Sequence, residues 1–298
     1  MRHIKTFGVI PKKVSYPEEY QGLLTGPDMS FATMMVHVDV DPPSDARIRL
    51  AARLAARFQA TLIGACAWEP RPPLTYGGVV VDAKITEDML RGISARLDQV
   101  GEHFRTLVEP DQPVEWRSAI DSPTEFVIKQ ARAADLLIVS RDRMAGCSLD
   151  PGAVVLKAGR PLLAVPPDIQ SLIAERVVIG WKDTREARRA VRDSLPLLRE
   201  ASNVAIIEIA EPQEQDQSQL RVEDVARYLT RHQVKLAKPP APHAIGSVAG
   251  ELLRVAGQQK ADLIVAGAYG HNRLGEWLFG GVTEELFHAS PVCCLLSH

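Results

Sequence analysis

A block that the chain repeats at long range is the feature that most constrains its fold. The stretch ADLLIV, from Ala134 to Val139, recurs as ADLIVA from Ala261 to Ala266, 127 residues later. In each half the block is followed at a distance by an apolar run with a leading proline, RPLLAVP and PVCCLLS. A repeat of this length has the size of a domain rather than of a solenoid unit. The 298 residues therefore predict two related domains in tandem.

Within each half, apolar strand-like runs alternate with amphipathic helical segments. In the first half TMMVHVD and ATLIGACAW flank the helical segment ARIRLAARLAARF, whose Arg47, Arg53 and Arg57 fall outside the apolar stripe. Alternation of this kind is typical of an α/β fold with parallel strands and helices on both faces. We predict two tandem doubly wound domains, each with a mostly five-stranded parallel sheet, at 31–168 and 174–298, after a flexible N-terminal extension at 1–30.

Several finer expectations follow from local sequence. Pro196 predicts a kink or a restart in the first helix of the second half. The polar stretch EPQEQDQSQ is expected to be a solvated loop, and VKLAKPP a weak strand. Residues 1–28 do not share the pattern of the rest, so they are either a flexible extension or a segment that precedes translation from Met29.

Composition and charge exclude several classes of protein. The chain is 46% hydrophobic and 24% charged, which is a globular profile, and its net charge of −2 gives no basic field for nucleic acid. It contains no run of 18 apolar residues and no secretory leader pattern, so we expect a cytoplasmic protein without membrane contact. The cysteines lack CxxC spacing and are expected to be buried thiols, with a metal or redox role as the alternative: Cys66, Cys147, Cys293 and Cys294.

The stretch that is most informative about function follows the second copy of the repeated block. Gly267, Gly270 and Gly280 lie between a strand that includes Ala266 and a helix that Gly281 opens. Glycines let backbone N–H groups approach an anion, and a helix N-terminus adds unpaired N–H donors. The pattern predicts a phosphate cradle. Its other members would be the N–H groups of Val282 and Thr283, the Thr283 hydroxyl, and His271 and Arg273, for which a solvated pair is the alternative.

This Gly-x2-Gly-x9-Gly spacing, between a strand and the terminal PVxxL run, resembles the nucleotide-binding type of the universal stress protein family. The resemblance covers 31–298 as two copies, as in the tandem-domain members. It implies an adenine nucleotide α-hydrolase-like fold, a bound ATP or other adenine nucleotide with or without Mg²⁺, and a regulatory role in stress response. The family signature continues with Ser or Thr where this chain has Gly281. The glycine lacks the side-chain hydroxyl of Ser or Thr but keeps the backbone N–H that can bind phosphate.

The end of the first strand of the second half departs from the family as well. The family has an Asp there that contacts adenosine, whereas this chain reads Gly180, Trp181, Lys182, Asp183 and Thr184. Lys182 takes the Asp position and cannot accept hydrogen bonds from ribose hydroxyls, although it can attract phosphate. Asp183 would substitute if the loop shifted by one residue.

The first half shows the opposite departure. It keeps Asp39 at the strand end, but Ser140 and Arg143 stand where the first two glycines belong. Their Cβ atoms would crowd a phosphate, so we expect a degenerate copy that mainly contributes packing.

Three functions stay open on the sequence: a nucleotide-binding regulator, an interaction module without ligand, and a slow ATPase. The ATPase needs a metal-binding carboxylate, and Glu276 is the nearest candidate. We assign no catalytic residue and no metal ligand, because no nucleophile–base–acid set is visible. RPLLAVP and PVCCLLS are expected to pair inside one chain as a pseudo-dimer. A homodimer and an unidentified protein partner stay open.

Overall fold

The computed structural model describes residues 30–41, 44–69, 83–141, 149–210, 212–238, 247–270 and 281–298. The chain divides into residues 1–30 and a unit over Phe31–His298. Of the first segment only Ser30 is described, so the predicted extension and the alternative start at Met29 lie outside the described residues. The boundary between 31–168 and 174–298 stays a prediction, because both ranges belong to one unit.

The two halves contain the predicted alternation of strands and helices. In the first half the order is β1 (Thr33–His37), α1 (Asp45–Arg57), β2 (Thr61–Ala67), α2 (Ala83–Thr106), β3 (Val114–Ala119), α3 (Pro123–Gln130) with a 3-10 turn (Ala131–Ala133), β4 (Leu136–Ser140), α4 (Pro151–Lys157) and β5 (Leu162–Val165). In the second half it is β6 (Arg176–Gly180), α5 (Arg185–Asp193), α6 (Leu195–Glu200), β7 (Asn203–Ile207), a 3-10 turn (Pro212–Glu214), α7 (Gln215–Arg231), α8 (Val248–Gln259), β8 (Leu263–Gly267), α9 (Gly281–Ala289) and β9 (Cys293–Ser297).

All described strands join one nine-stranded sheet in the order β3-β2-β1-β4-β5-β9-β8-β6-β7. Neighbouring strands are parallel except β5 and β9, which pair antiparallel, with Leu162 opposite Leu296. The mixed α/β fold and the pairing of the two terminal runs are therefore confirmed. The first half supplies five strands and the second supplies four. The expected weak strand of the second half is reduced to a parallel bridge between Val204 and Leu236.

The aspartate of the repeated ADL block makes equivalent hydrogen bonds to the backbone in each half. The Asp135 carboxylate accepts the backbone N–H groups of Ala32 (2.9 Å) and Thr33 (3.0 Å), where β1 begins. The Asp262 carboxylate accepts those of Glu175 (3.1 Å) and Arg176 (3.0 Å), where β6 begins. Each aspartate thus ties the start of the strand that follows it, β4 or β8, to the start of the first strand of its half, which lies beside it in the sheet.

Two local predictions had different outcomes. The restart near Pro196 is confirmed, since α5 ends at Asp193 and α6 begins at Leu195. The prediction of a loop for EPQEQDQSQ is wrong, because a 3-10 turn at Pro212–Glu214 leads into α7 from Gln215. The first residues of α7 are mostly exposed, so they carry no apolar period, and the helix begins with Asp216 favourably placed in its first turn.

Burial makes the described cysteines poor nucleophiles. Cys66, Cys293 and Cys294 are free and buried. Burial raises the pKa of the Cys66 thiol to about 12 and that of Cys294 to about 11, and it also raises the pKa of Cys293. The described ranges hold no group of His, Cys, Asp and Glu side chains that suits a metal ion. They also hold no helix with the length and apolar character that a membrane crossing requires.

Candidate functional site

Several of the predicted site residues that the structure describes follow β6 and β8, which lie side by side in the sheet. Gly180 at the end of β6 is opposite Ala266 in β8, and the chain leaves β6 toward β7 on the far side. This change of direction is a topological switch point, which is where open parallel sheets bind ligands. Residues 181–184 after β6 and residues 268–270 after β8 therefore lie at the same edge of the sheet, and the structure brings Thr184 close to Gly270.

Gly267 lacks a side chain for a reason that needs no ligand. A Cβ atom at this position would lie 2.6 Å from the backbone nitrogen of Ala187 and 2.8 Å from the carbonyl carbon of Glu186. Both atoms belong to the first turn of α5, so the glycine lets that helix approach β8. Gly180 has a comparable role, since a Cβ there would lie 2.9 Å from Leu252 Cδ2 on α8.

Gly270 lies against a buried carboxylate that the sequence analysis did not single out. A Cβ atom at Gly270 would be 3.1 Å from Glu186 Oε2 and 3.1 Å from the Thr184 hydroxyl oxygen. Glu186 is 4% exposed, and Thr184 is the N-cap of α5, accepting the Ala187 N–H at 3.3 Å. The only sequence signal for Glu186 was an acidic residue in the first turn of an arginine-rich helix.

The Glu186 carboxylate stays ionised despite its burial. Burial acts to raise its pKa, but hydrogen bonds from Arg185, from its own backbone N–H and from the Thr184 hydroxyl together lower the pKa below its ordinary value. A fixed negative charge therefore lies beside Gly270. A phosphate group at that point would be repelled unless a cation lay between them.

The N-terminus of α9 offers a more favourable position for an anion. Gly281 is exposed, and a Cβ there would have no atom of the described residues within 4 Å. Val282 is half-buried. Thr283 is 3% exposed, and its hydroxyl accepts the backbone N–H of Tyr269 at 3.2 Å. The Thr283 hydroxyl thus holds the loop after β8, while the first N–H groups of α9 face away from the helix body.

The side chains after β6 are at the surface. Lys182 is exposed, and Asp183 is exposed and paired with Arg188 of α5 at 2.5 Å. Trp181 is 8% exposed and therefore packs inside the protein, and its backbone N–H donates to the Ile207 carbonyl at 2.8 Å. The Asp183 carboxylate is therefore engaged by Arg188, and Lys182 contributes the positive charge at this rim.

At the corresponding strand end of the first half, an arginine of the same half engages the aspartate at the family's position, Asp39. Arg47 on α1 is 8% exposed and pairs with the Asp39 carboxylate. It also donates to the Ser44 hydroxyl at 2.8 Å and to the His37 carbonyl at 2.9 Å. The expectation that Arg47 lies outside the buried stripe is therefore wrong. A buried Asp39 carboxylate requires a cation, and Arg47 is the residue that reaches it.

A second side chain of the first half caps the helix that corresponds to α9. α4 begins at Pro151 and α9 begins 130 residues later at Gly281, so Asp150 stands where the second half has Gly280. Asp150 is the N-cap of α4, and its carboxylate accepts the Ala153 N–H at 3.2 Å. Ser140, which replaces the first glycine, is 8% exposed.

Some predicted residues cannot be placed. His271, Arg273 and Gly280 lie outside the described residues, as do Arg143 of the first half, Cys147, and Glu276, the candidate carboxylate of the ATPase hypothesis. Their roles stay predictions.

The fold and the two strand ends define a doubly wound α/β protein of two related halves, one with an Arg47–Asp39 pair and an Asp150 N-cap and one with a glycine at the start of α9. The model of the universal stress protein family matches residues 174–298. The second half of the chain therefore belongs to that family, and the first half repeats its fold. No curated protein is similar enough in sequence to count as a relative.

Solved structures share this architecture over most of the chain. A universal stress protein from Archaeoglobus fulgidus is 16% identical, with a TM-score of 0.61 over 89% of this chain and 95% of its own. A functionally unknown protein from Pseudomonas aeruginosa is 14% identical, with a TM-score of 0.53 over 90% of this chain and 93% of its own. A universal stress protein in complex with cAMP is 22% identical, but its TM-score of 0.32 over 45% of this chain and 96% of its own carries no argument about ligand.

Proposed function

We propose that the second half binds ATP or another adenine nucleotide, with the polyphosphate at the N-terminus of α9 and the nucleoside in the crevice between β6 and β8. The observation that carries this proposal is the contrast between two equivalent helices. α4 begins behind Asp150, which supplies its own negative charge, whereas α9 begins at Gly281 with no described atom near the missing side chain. A bound anion would supply at the N-terminus of α9 the negative charge that Asp150 supplies at the N-terminus of α4.

The charges around the crevice favour this placement within the site. Lys182 is exposed at the rim and can approach a phosphate oxygen. The Glu186 carboxylate lies beside Gly270, so the phosphates are better placed toward Gly281 and Val282 than toward Gly270. Mg²⁺ carried on the phosphates would offset the repulsion from Glu186 further. His271, Arg273 and Gly280 remain proposed members of the same cradle.

The direct test is to identify nucleotide in the purified protein. Mass spectrometry of material released on denaturation should find an adenine nucleotide, and ATP should raise the unfolding temperature. At a concentration 100 times the Kd, a ligand of the folded state adds about 2.7 kcal/mol to the free energy of unfolding. A protein without bound nucleotide and without stabilisation by millimolar ATP would contradict the proposal.

A pair of substitutions at Gly281 tests the position of the phosphates. Gly281→Asp should weaken ATP binding by at least about tenfold, because a carboxylate in the first turn of α9 repels phosphate. Gly281→Ser has a similar size, restores the hydroxyl of the family signature, and should bind ATP at least as tightly as wild type. Isothermal titration of the two variants gives the comparison. Equal affinity of the two would place the phosphates elsewhere.

The runner-up is an interaction module without ligand. Lys182 in place of the family's Asp and the Glu186 carboxylate beside Gly270 favour it. It becomes the preferred function if the wild-type protein neither carries nor binds a nucleotide. In either case, the family points to a regulator that acts through its conformation or an unidentified protein partner, and we propose a role in stress response. We assign no catalytic residue.

A further inference from the structure

We propose that Tyr269 is a positioning residue through which the first half of the chain holds residues 268–270 and the N-terminus of α9 in the conformation that binds the nucleotide. This inference rests on the proposed function, because the loop it concerns is the one that would bind the nucleotide. It adds that the first half, through the start of α4, contributes to the affinity of the crevice in the second half.

The backbone of Tyr269 takes a conformation that needs support from its surroundings. Its φ is +54°, in the left-handed region that residues other than glycine rarely enter. Such a conformation is unfavourable for a residue with a side chain and persists when neighbouring contacts impose it. One of those contacts is the hydrogen bond from the Tyr269 N–H to the Thr283 hydroxyl, at 3.2 Å, which ties the loop to α9.

The side chain of Tyr269 provides a second attachment to the same helix. Its hydroxyl donates to Glu284 Oε1 at 2.6 Å, and Glu284 lies in the first turn of α9. The residue is therefore bound to α9 at both its backbone and its ring end. Because Gly281 opens the same turn, a movement of Tyr269 would move the N–H groups that we assign to the phosphates.

The same hydroxyl reaches the first half of the chain. A Cβ atom on Gly152, near the start of α4, would lie 2.6 Å from the Tyr269 hydroxyl oxygen, 3.3 Å from Asp150 Oδ1 and 3.6 Å from Glu284 Oε1. The hydroxyl thus occupies the space that any side chain at 152 would need. The glycine loop of one half and the helix N-terminus of the other meet at this oxygen, between two carboxylates.

This arrangement couples the two halves. If a nucleotide binds better when Tyr269 is held against α4, the bound nucleotide must in turn stabilise the α4 contact by the same free energy. Occupation of the second crevice should therefore be detectable at the N-terminus of α4, in the half that takes no ligand.

Titration of the full chain with ATP tests the coupling. Tyr269→Phe keeps the ring and loses the hydroxyl, and it should weaken ATP binding about tenfold relative to wild type. Gly152→Ala touches no proposed ligand contact and should weaken binding through the displaced hydroxyl. In the Tyr269→Phe background, Gly152→Ala should have little further effect, since the atom it displaces is absent. Tyr228→Phe, on the half-exposed tyrosine of α7, is the matched control and should bind like wild type.

Hydrogen exchange supplies a readout that a merely structural role would not change. In the wild type, saturating ATP should slow exchange of the α4 amides at 152–157, and in Tyr269→Phe at saturation this protection should be lost. Wild-type affinity and retained α4 protection in Tyr269→Phe would overturn the inference and leave nucleotide binding intact. Failure of the wild type itself to bind ATP would overturn the proposed function together with it.

Discussion

Replacing Gly267 with alanine is expected to lower the free energy of unfolding by about 3 kcal/mol. The added methyl group would lie 2.6 Å from the Ala187 backbone nitrogen and 2.8 Å from the Glu186 carbonyl carbon. Backbone atoms of a helix cannot rotate away as the end of a side chain can, so α5 would have to separate from β8. Urea denaturation of the variant and the wild type measures the loss.

The control is the same substitution at the other end of the loop. Gly281→Ala adds a methyl group with no described atom within 4 Å, and it should change the free energy of unfolding by no more than about 0.5 kcal/mol. Equal stability of the two variants would show that α5 does not pack against Gly267 as described. Loss of nucleotide binding in a Gly267 variant is consequently no evidence for a phosphate contact at this glycine, because the packing defect alone explains it.

Acid is expected to destabilise the protein through His37. The side chain is 2% exposed at the end of β1, with Nδ1 3.6 Å from Asp39 Oδ1. Burial lowers its pKa from 6.5 to about 4; Asp39 opposes this shift and Arg47 adds to it. His37 is thus neutral in the folded protein at pH values where the unfolded chain has bound a proton.

The sign and size of the effect follow from proton linkage. Between pH 6.5 and about 4 the unfolded state binds more protons at this residue, so stability falls as the pH falls through that window. The loss from His37 between pH 7 and pH 5 is about 2 kcal/mol. Urea denaturation at these two pH values should show it in the wild type, and His37→Gln should remove most of it.

A matched histidine makes the result specific. His232→Gln, at the C-terminal end of α7, leaves His37 in place and should keep the pH dependence of the wild type. The comparison ends at pH 5, so that protonation of carboxylates contributes little to the loss of stability. The folded-state pKa of the buried Glu186 carboxylate, for example, lies below its ordinary value. An unchanged pH dependence in His37→Gln would contradict the account of a buried neutral histidine.

The fold could be predicted because its signals are local and repeated. Apolar runs of strand length alternate with helical periods, and Asp135 and Asp262 recur at the same place in each half because each caps the start of a neighbouring strand. The start of α7 was missed because its first turns are exposed and carry no apolar period.

The site was less accessible to sequence reasoning because its decisive contacts join residues far apart in the chain. The helical period predicted an exposed Arg47, because arginine is treated as a polar residue in such a pattern. The pattern does not show that the Asp39 carboxylate lies within reach of the Arg47 guanidinium. The Gly267 spacing indicated a phosphate loop, whereas its contact with Ala187 depends on how closely α5 crosses β8. The contact between Tyr269 and Gly152 joins residues of the two halves, so no local sequence pattern indicates it.

The antiparallel seam between β5 and β9 has an evolutionary consequence. Two separate identical subunits would have to carry every substitution twice, so a change that closed one crevice would close both. Covalent fusion across the seam removes that constraint, and it also keeps the halves together at any dilution. Each half can therefore carry different residues at equivalent places, with the Asp150 N-cap at the start of α4 in one and Gly281 at the start of α9 in the other.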